Sequence, residues 1–179
     1  MDGANLFFNL ATLSFSLLAV AASTVTALRQ SRLMQHSNLL PVVIELFDRF
    51  RAEEFKQHMT YISTQLWKDY PPGTTAFEDL PHEARSHVVP VGSFFNLVGV
   101  LAANGIISDL MASSYMGASI NQAWTYLEPY IRNERGRRQD QNWNLFFEHL
   151  AYLTSQLGPA KIDERLKLKR MPVTPRDAD

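Results

Sequence analysis

The stretch that most constrains this chain is "NLFFNLATLSFSLLAVAASTVTALRQSR", from Asn5 to Arg32. No ionisable side chain occurs between Gly3 and Leu28. That is about 26 residues, or roughly 39 Å of helix, enough to cross a hydrocarbon core of ~30 Å. All 17 Lys and Arg lie from Arg29 onward. A cleaved export signal wants positive charge ahead of its apolar region. Here Asp2 is the only charged side chain ahead of it. The stretch therefore reads as a retained transmembrane helix over 5–28, after a short extracytoplasmic tail at 1–4. Arg29 and Arg32 follow directly and, by the positive-inside bias, hold that end in the cytoplasm. Two competing readings stand beside it. The small residues of "AVAAS" imitate a cleavage site, and the stretch also fits the first helix of a soluble bundle.

Within the span, Asn9, Thr12, Ser16, Ala19, Ser23 and Thr26 recur at alternating intervals of three and four. On a helix this makes one stripe of small or hydrogen-bonding groups, while Leu6, Leu10, Leu13, Leu17 and Val20 make a bulky one. In lipid such a stripe lets helices approach closely, at about 1 kcal/mol or less per polar contact. The stripe predicts either self-association into a homo-oligomer or hydroxyls bonded back to their own helix.

The remainder, 29–157, shows helical spacing and no strand alternation. It reads as a cytoplasmic α-helical domain of roughly five helices, so the fold class is all-α, with a transmembrane helix leading a bundle. Pro41 suits the first turn of a helix, and "RAEEF" breaks the pattern before Phe55, Met59, Ile62 and Leu66 restart it. "YPPGTTAFEDLPH" is a loop. A long apolar helix follows from about Pro81 to Asn104, stopped by Gly105. Val88 to Ser108 carries no charge and is span-length, but Pro90, Asn96 and Asn104 favour a core helix over a second crossing. Ser108 caps a short helix, Ile120 to Ile131 mark another with Pro129 inside it, and Trp143 to Thr154 mark the last. Residues 158–179 mix charges around prolines and read as a flexible tail.

The chemistry is bounded by what is missing. There is no cysteine, which removes disulfides, thiol nucleophiles and thiolate zinc sites. A formal net charge of −1 argues against a nucleic-acid partner held by bulk positive charge. "HEARSH", His82 to His87, misses the zinc-protease motif by one residue, because the two histidines fall on different helix faces. No nucleophile elbow or phosphate loop is present. No catalytic, cofactor-binding or metal residue is assigned and no cofactor is expected. "RNERGRRQD" offers Arg132, Arg135, Arg137 and Arg138 as anion contacts, against the plainer reading of a solvated helix end balanced by Glu134 and Asp140. Arg135 and Glu148, either side of a short turn, are expected to form a structural ion pair that sets helix register. Arg51 is expected to tie two helices. An enzymatic alternative would place acid–base work on Glu148 and an anion on Arg132, Arg135 and Arg138.

The order of signals is itself familiar. The leading span is followed by "ALRQSRLMQHSNLLPVVIELFDRFRAEEF", "FFNLVGVLAANGIISDLM", "WTYLEPYIRNER" and "NLFFEHLAYL". This resembles a bacterial family of small membrane-anchored helical proteins known as the domain of unknown function DUF4760, over about Leu28 to Leu157. The resemblance implies a bacterial inner-membrane protein with a cytoplasmic helical domain, and supplies no activity to transfer. The expected role is a non-enzymatic interaction or regulatory module. Its partners are membrane lipid, a further copy of itself and a protein of unspecified kind. A soluble all-α protein binding an apolar ligand near Val88 to Ala103 is the alternative.

Overall fold

The computed structural model describes residues 12–26, 40–73 and 75–169. The chain divides into two units, Met1–Phe47 and Asp48–Asp179. In the first, α1 covers the described residues Thr12–Thr26. It is apolar, and Leu13, Phe15, Leu17, Leu18, Val20 and Val25 are all exposed. Helix α2, Leu40–Arg51, runs across the division, with Pro41 in its first turn as expected.

The second unit is a bundle. Ala52 is extended (φ −56°, ψ 139°) and separates α2 from α3, Glu53–Thr64. Glu53 and Glu54 occupy the first turn, where carboxylates complement the helix dipole. Gln65 interrupts the apolar run and starts a single turn, α4, Leu66–Asp69. A loop with a 3-10 turn at Phe77–Asp79 leads to α5, His82–Ala103. Gly105 takes φ +68°, a left-handed conformation that stops the helix at low steric cost. Ser108 Oγ then accepts from the Met111 N–H and opens α6, Asp109–Arg138. Helix α7 is Leu145–Gln156 and α8 is Pro159–Leu166.

Three differences from expectation have physical reasons. The predicted short helix and its successor are one 30-residue helix, α6. Ala112, Met116, Ile120, Ala123 and Leu127 are buried at helical spacing across Gly117, so one continuous packed stripe outweighs the glycine. Trp143 stands in the α6–α7 turn, with α7 beginning two residues later. The segment read as a flexible tail contains α8, started by Pro159 after Gly158 and packed against α6. Among the described residues of 29–157 there are six helices, α2 to α7, where about five are expected.

Helix α5 is the one described helix long and apolar enough to cross a bilayer. Its Val88, Val91, Phe95 and Val98 are nevertheless fully buried, and it packs on α7, α3 and α6. Phe95 stacks on Phe147 at 5.5 Å, and Trp124 meets Phe147 edge-on at 5.1 Å. Asn96 Oδ1 accepts the Phe147 N–H at 3.2 Å, one of the first-turn donors that α7 cannot satisfy internally.

Candidate functional site

The densest polar constellation lies at the C-terminal end of α6, where the loop at 70–81 is strapped to it. The Tyr130 hydroxyl donates to the Tyr70 carbonyl. Burial pushes the Tyr130 phenol up to about 12, so it remains a donor through the physiological range. Asn133 Nδ2 donates to the Gly73 and Thr75 carbonyls at 2.7 and 2.9 Å. Glu134 is wholly buried and accepts the Glu78 N–H at 3.0 Å. Its other bonds come from Arg138 Nε at 2.6 Å and from the Arg137 guanidinium. Both arginines also reach the Glu78 carboxylate. Their position suits the helix, because cations offset the negative end of its dipole. The Arg137 guanidinium is raised above its ordinary value, chiefly by the bond to Glu134.

A second constellation spans the α6–α7 turn. Arg135 Nη1 donates to Glu148 Oε2 at 2.6 Å, and its Nε to the Trp143 carbonyl at 2.9 Å. The Arg135 Nη2 is buried without a partner among the described residues. Gln139 and Asn144 both take φ 55°, which lets six residues reverse the chain. The Arg135 head therefore fixes the register of α7 on α6. Arg135→Ala is expected to lower stability by about 2 kcal/mol, because Trp143 loses its donor while the half-exposed Glu148 turns to water. Urea unfolding followed by fluorescence measures it, and a change below about 0.5 kcal/mol would remove Arg135 from this role.

Between these networks lies a cleft of about 240 Å³, lined among others by Phe77, Arg85, Ser93, Arg138 and Trp143. The Arg138 guanidinium sits 5.4 Å from the Trp143 ring centre. Phe77 meets Trp143 edge-on at 5.0 Å and forms one wall.

The remaining residues singled out in the sequence fall as follows. Arg132 pairs with Glu128 one turn back on its own helix at 2.6 Å. The four arginines of "RNERGRRQD" are thus each held by carboxylates of this chain rather than gathered around one open position. Arg51 pairs with Asp48 on its own helix at 2.9 Å, and Tyr115 of α6 also acts on it. His82 opens α5, whereas His87 faces His58 on α3. Among the described residues no group of three metal-binding side chains forms. Thr12, Ser16, Ala19, Ser23 and Thr26 are exposed along α1. Thr26 Oγ1 donates back to the Ala22 carbonyl at 2.8 Å, so its proton is used within the helix. Asn9, Arg29 and Arg32 lie outside the described residues.

Sequence reading missed the role of Glu134 and the His58–His87 contact. A glutamate three and four residues ahead of two arginines, on the face carrying Leu127 and Ile131, was the available signal for the first. Nothing in the sequence signals the second, whose partners are 29 residues apart.

The described residues thus define an all-α protein without strands, with arginine–glutamate networks at the C-terminal end of α6 and across the α6–α7 turn. Residues 16–154 match the model of the domain of unknown function DUF4760, and the chain belongs to that family. No curated protein and no solved structure matches it.

Proposed function

We propose that this protein is a single-pass bacterial inner-membrane protein whose cytoplasmic helical bundle acts as a self-associating interaction module rather than an enzyme. The observation that carries this reading is the charge-free leading stretch, closed by Arg29 and Arg32 and bearing bulky exposed side chains along α1. Burying such side chains in lipid rather than leaving them in water is favourable by roughly 1.5–3 kcal/mol each. The bundle supports the second half of the reading. Its arginine–glutamate networks bind loop to helix and helix to helix, which is a structural use of charge. The burial of α5 favours one crossing over two.

Two measurements test the proposal. The full chain is expected to stay in the membrane pellet after an alkaline carbonate wash. A reporter active only outside the cytoplasm, fused after Asp179, is expected to stay silent. Strong reporter activity would overturn the orientation. Release into the soluble fraction without detergent would overturn the anchor and favour a soluble protein with an apolar ligand.

A further inference from the structure

We propose that His58 and His87 form a proton-operated latch between α3 and α5, closed until both imidazoles become doubly protonated. The two Nδ1 atoms are 3.0 Å apart, with ring centres at 5.1 Å and planes at 70°. A bond between two ring nitrogens needs one N–H and one lone pair, so two neutral rings must be opposite tautomers. One added proton preserves the bond, because the imidazolium donates to the neutral ring. A second proton points two N–H groups at each other and adds like-charge repulsion, so attraction between the helices becomes repulsion.

The surroundings resist that second proton. The His58 side chain is only 14 % exposed. Acting the other way, the Tyr61 ring stacks on His87 at 4.3 Å, and its face attracts a cation there. Burial, and then the neighbouring His87, hold His58 below the ordinary histidine range. Glu54 acts the other way, but it is 3.8 Å from His58 Nε2 and 84 % exposed, so water screens it. From α2, Arg49 shares with His58 a cleft of about 220 Å³ and adds positive charge. Burial raises the Tyr61 phenol, as do Tyr70, Asp69 and Glu83, and Tyr61 in turn acts on Tyr130 of α6. A histidine held below its unfolded value binds fewer protons folded than unfolded. The latch therefore stabilises the α3–α5 contact above the ordinary histidine range and loses that contribution as pH falls. This inference does not rest on the membrane reading.

The test uses the full chain in detergent. With nitrogen-15 in the histidines, the two rings are expected to show opposite tautomers at about pH 7.5. The chain has no cysteine, so Gln57→Cys and Ser86→Cys place a pair of distance labels on exposed positions of α3 and α5. A separated population is expected to grow about tenfold per pH unit once the second proton is taken up, as pH falls towards about 5. His87→Asn keeps a short hydrogen-bonding side chain without a titrating charge, and is expected to abolish the pH-dependent separation. The same tautomer on both rings would overturn the latch, as would a label distance unchanged with pH. Undiminished acid opening in His87→Asn would overturn it too. Should that variant fail to fold, the tautomer and distance measurements on the native histidine pair decide alone.

Discussion

Gly99→Ala is expected to be the most damaging single-methyl change in the bundle, lowering stability by about 3 kcal/mol or more. A Cβ at this position would lie 2.1 Å from the Phe146 carbonyl oxygen and 2.6 Å from its carbonyl carbon. The obstacle is the backbone of α7, which cannot rotate out of the way as a side chain can. Helix α7 would have to retreat as a body. That retreat would loosen the Phe95–Phe147 stack, the Trp124–Phe147 contact and the Asn96 bond to the Phe147 N–H. Gly92→Ala is the control. Its Cβ would meet only the Phe77 ring at 3.6 Å, an ordinary contact. Replacing glycine in a helix then gains up to about 1 kcal/mol of helix propensity. Urea unfolding of both variants measures the contrast. A cost below about 1 kcal/mol for Gly99→Ala would mean that the α5–α7 contact at Gly99 is not what holds α7 in place.

Removing the buried carboxylate comes second. Glu134→Ala is expected to cost about 3 kcal/mol, within the range for breaking a buried charge-assisted network. The Glu78 N–H loses its acceptor, and the α6 end loses the anchor of the 70–81 loop. The figure is held down because Arg137 and Arg138 are 44 % and 37 % exposed and regain water when released. Glu134→Gln should fall between wild type and Glu134→Ala. Its amide oxygen still serves one donor while its NH₂ opposes a guanidinium. Chemical unfolding reads both, and protease cutting near Gly73 should accelerate in the alanine variant. An alanine variant within about 0.5 kcal/mol of wild type would show that the loop is held by Tyr130 and Asn133 instead.

Much of the helical layout was legible because its signals are local. Gly105, Ser108, Pro81 and the "RAEEF" interruption act through backbone conformation and first-turn hydrogen bonds, which depend on neighbours in sequence. Val88, Val91, Phe95, Val98 and Ala102 recur at helical spacing along α5; the first four are buried and Ala102 is partly exposed. The seam placed inside α6 and the α4 break at Gln65 were misread for one reason. A glycine or a polar residue in an apolar pattern is weak punctuation until the packing partner is known. The α8 helix was missed because eight residues with mixed charge make a marginal helix alone, and contact with α6 completes it.

The site was legible only in part. Arg135 and Glu148 lie 13 residues apart across a turn, so a hairpin argument reaches them. Glu78 and Glu134 lie 56 residues apart, and His58 and His87 belong to different helices. By itself the sequence determined the all-α class, the helix stops and the asymmetric placement of charge, because these follow from local sterics and from counting. Only the tertiary structure decided which carboxylate is buried, which arginines are already taken and which two imidazoles share a proton. Those outcomes depend on how helices distant in sequence approach one another, and approach distance sets whether a polar group is solvated, paired or repelled.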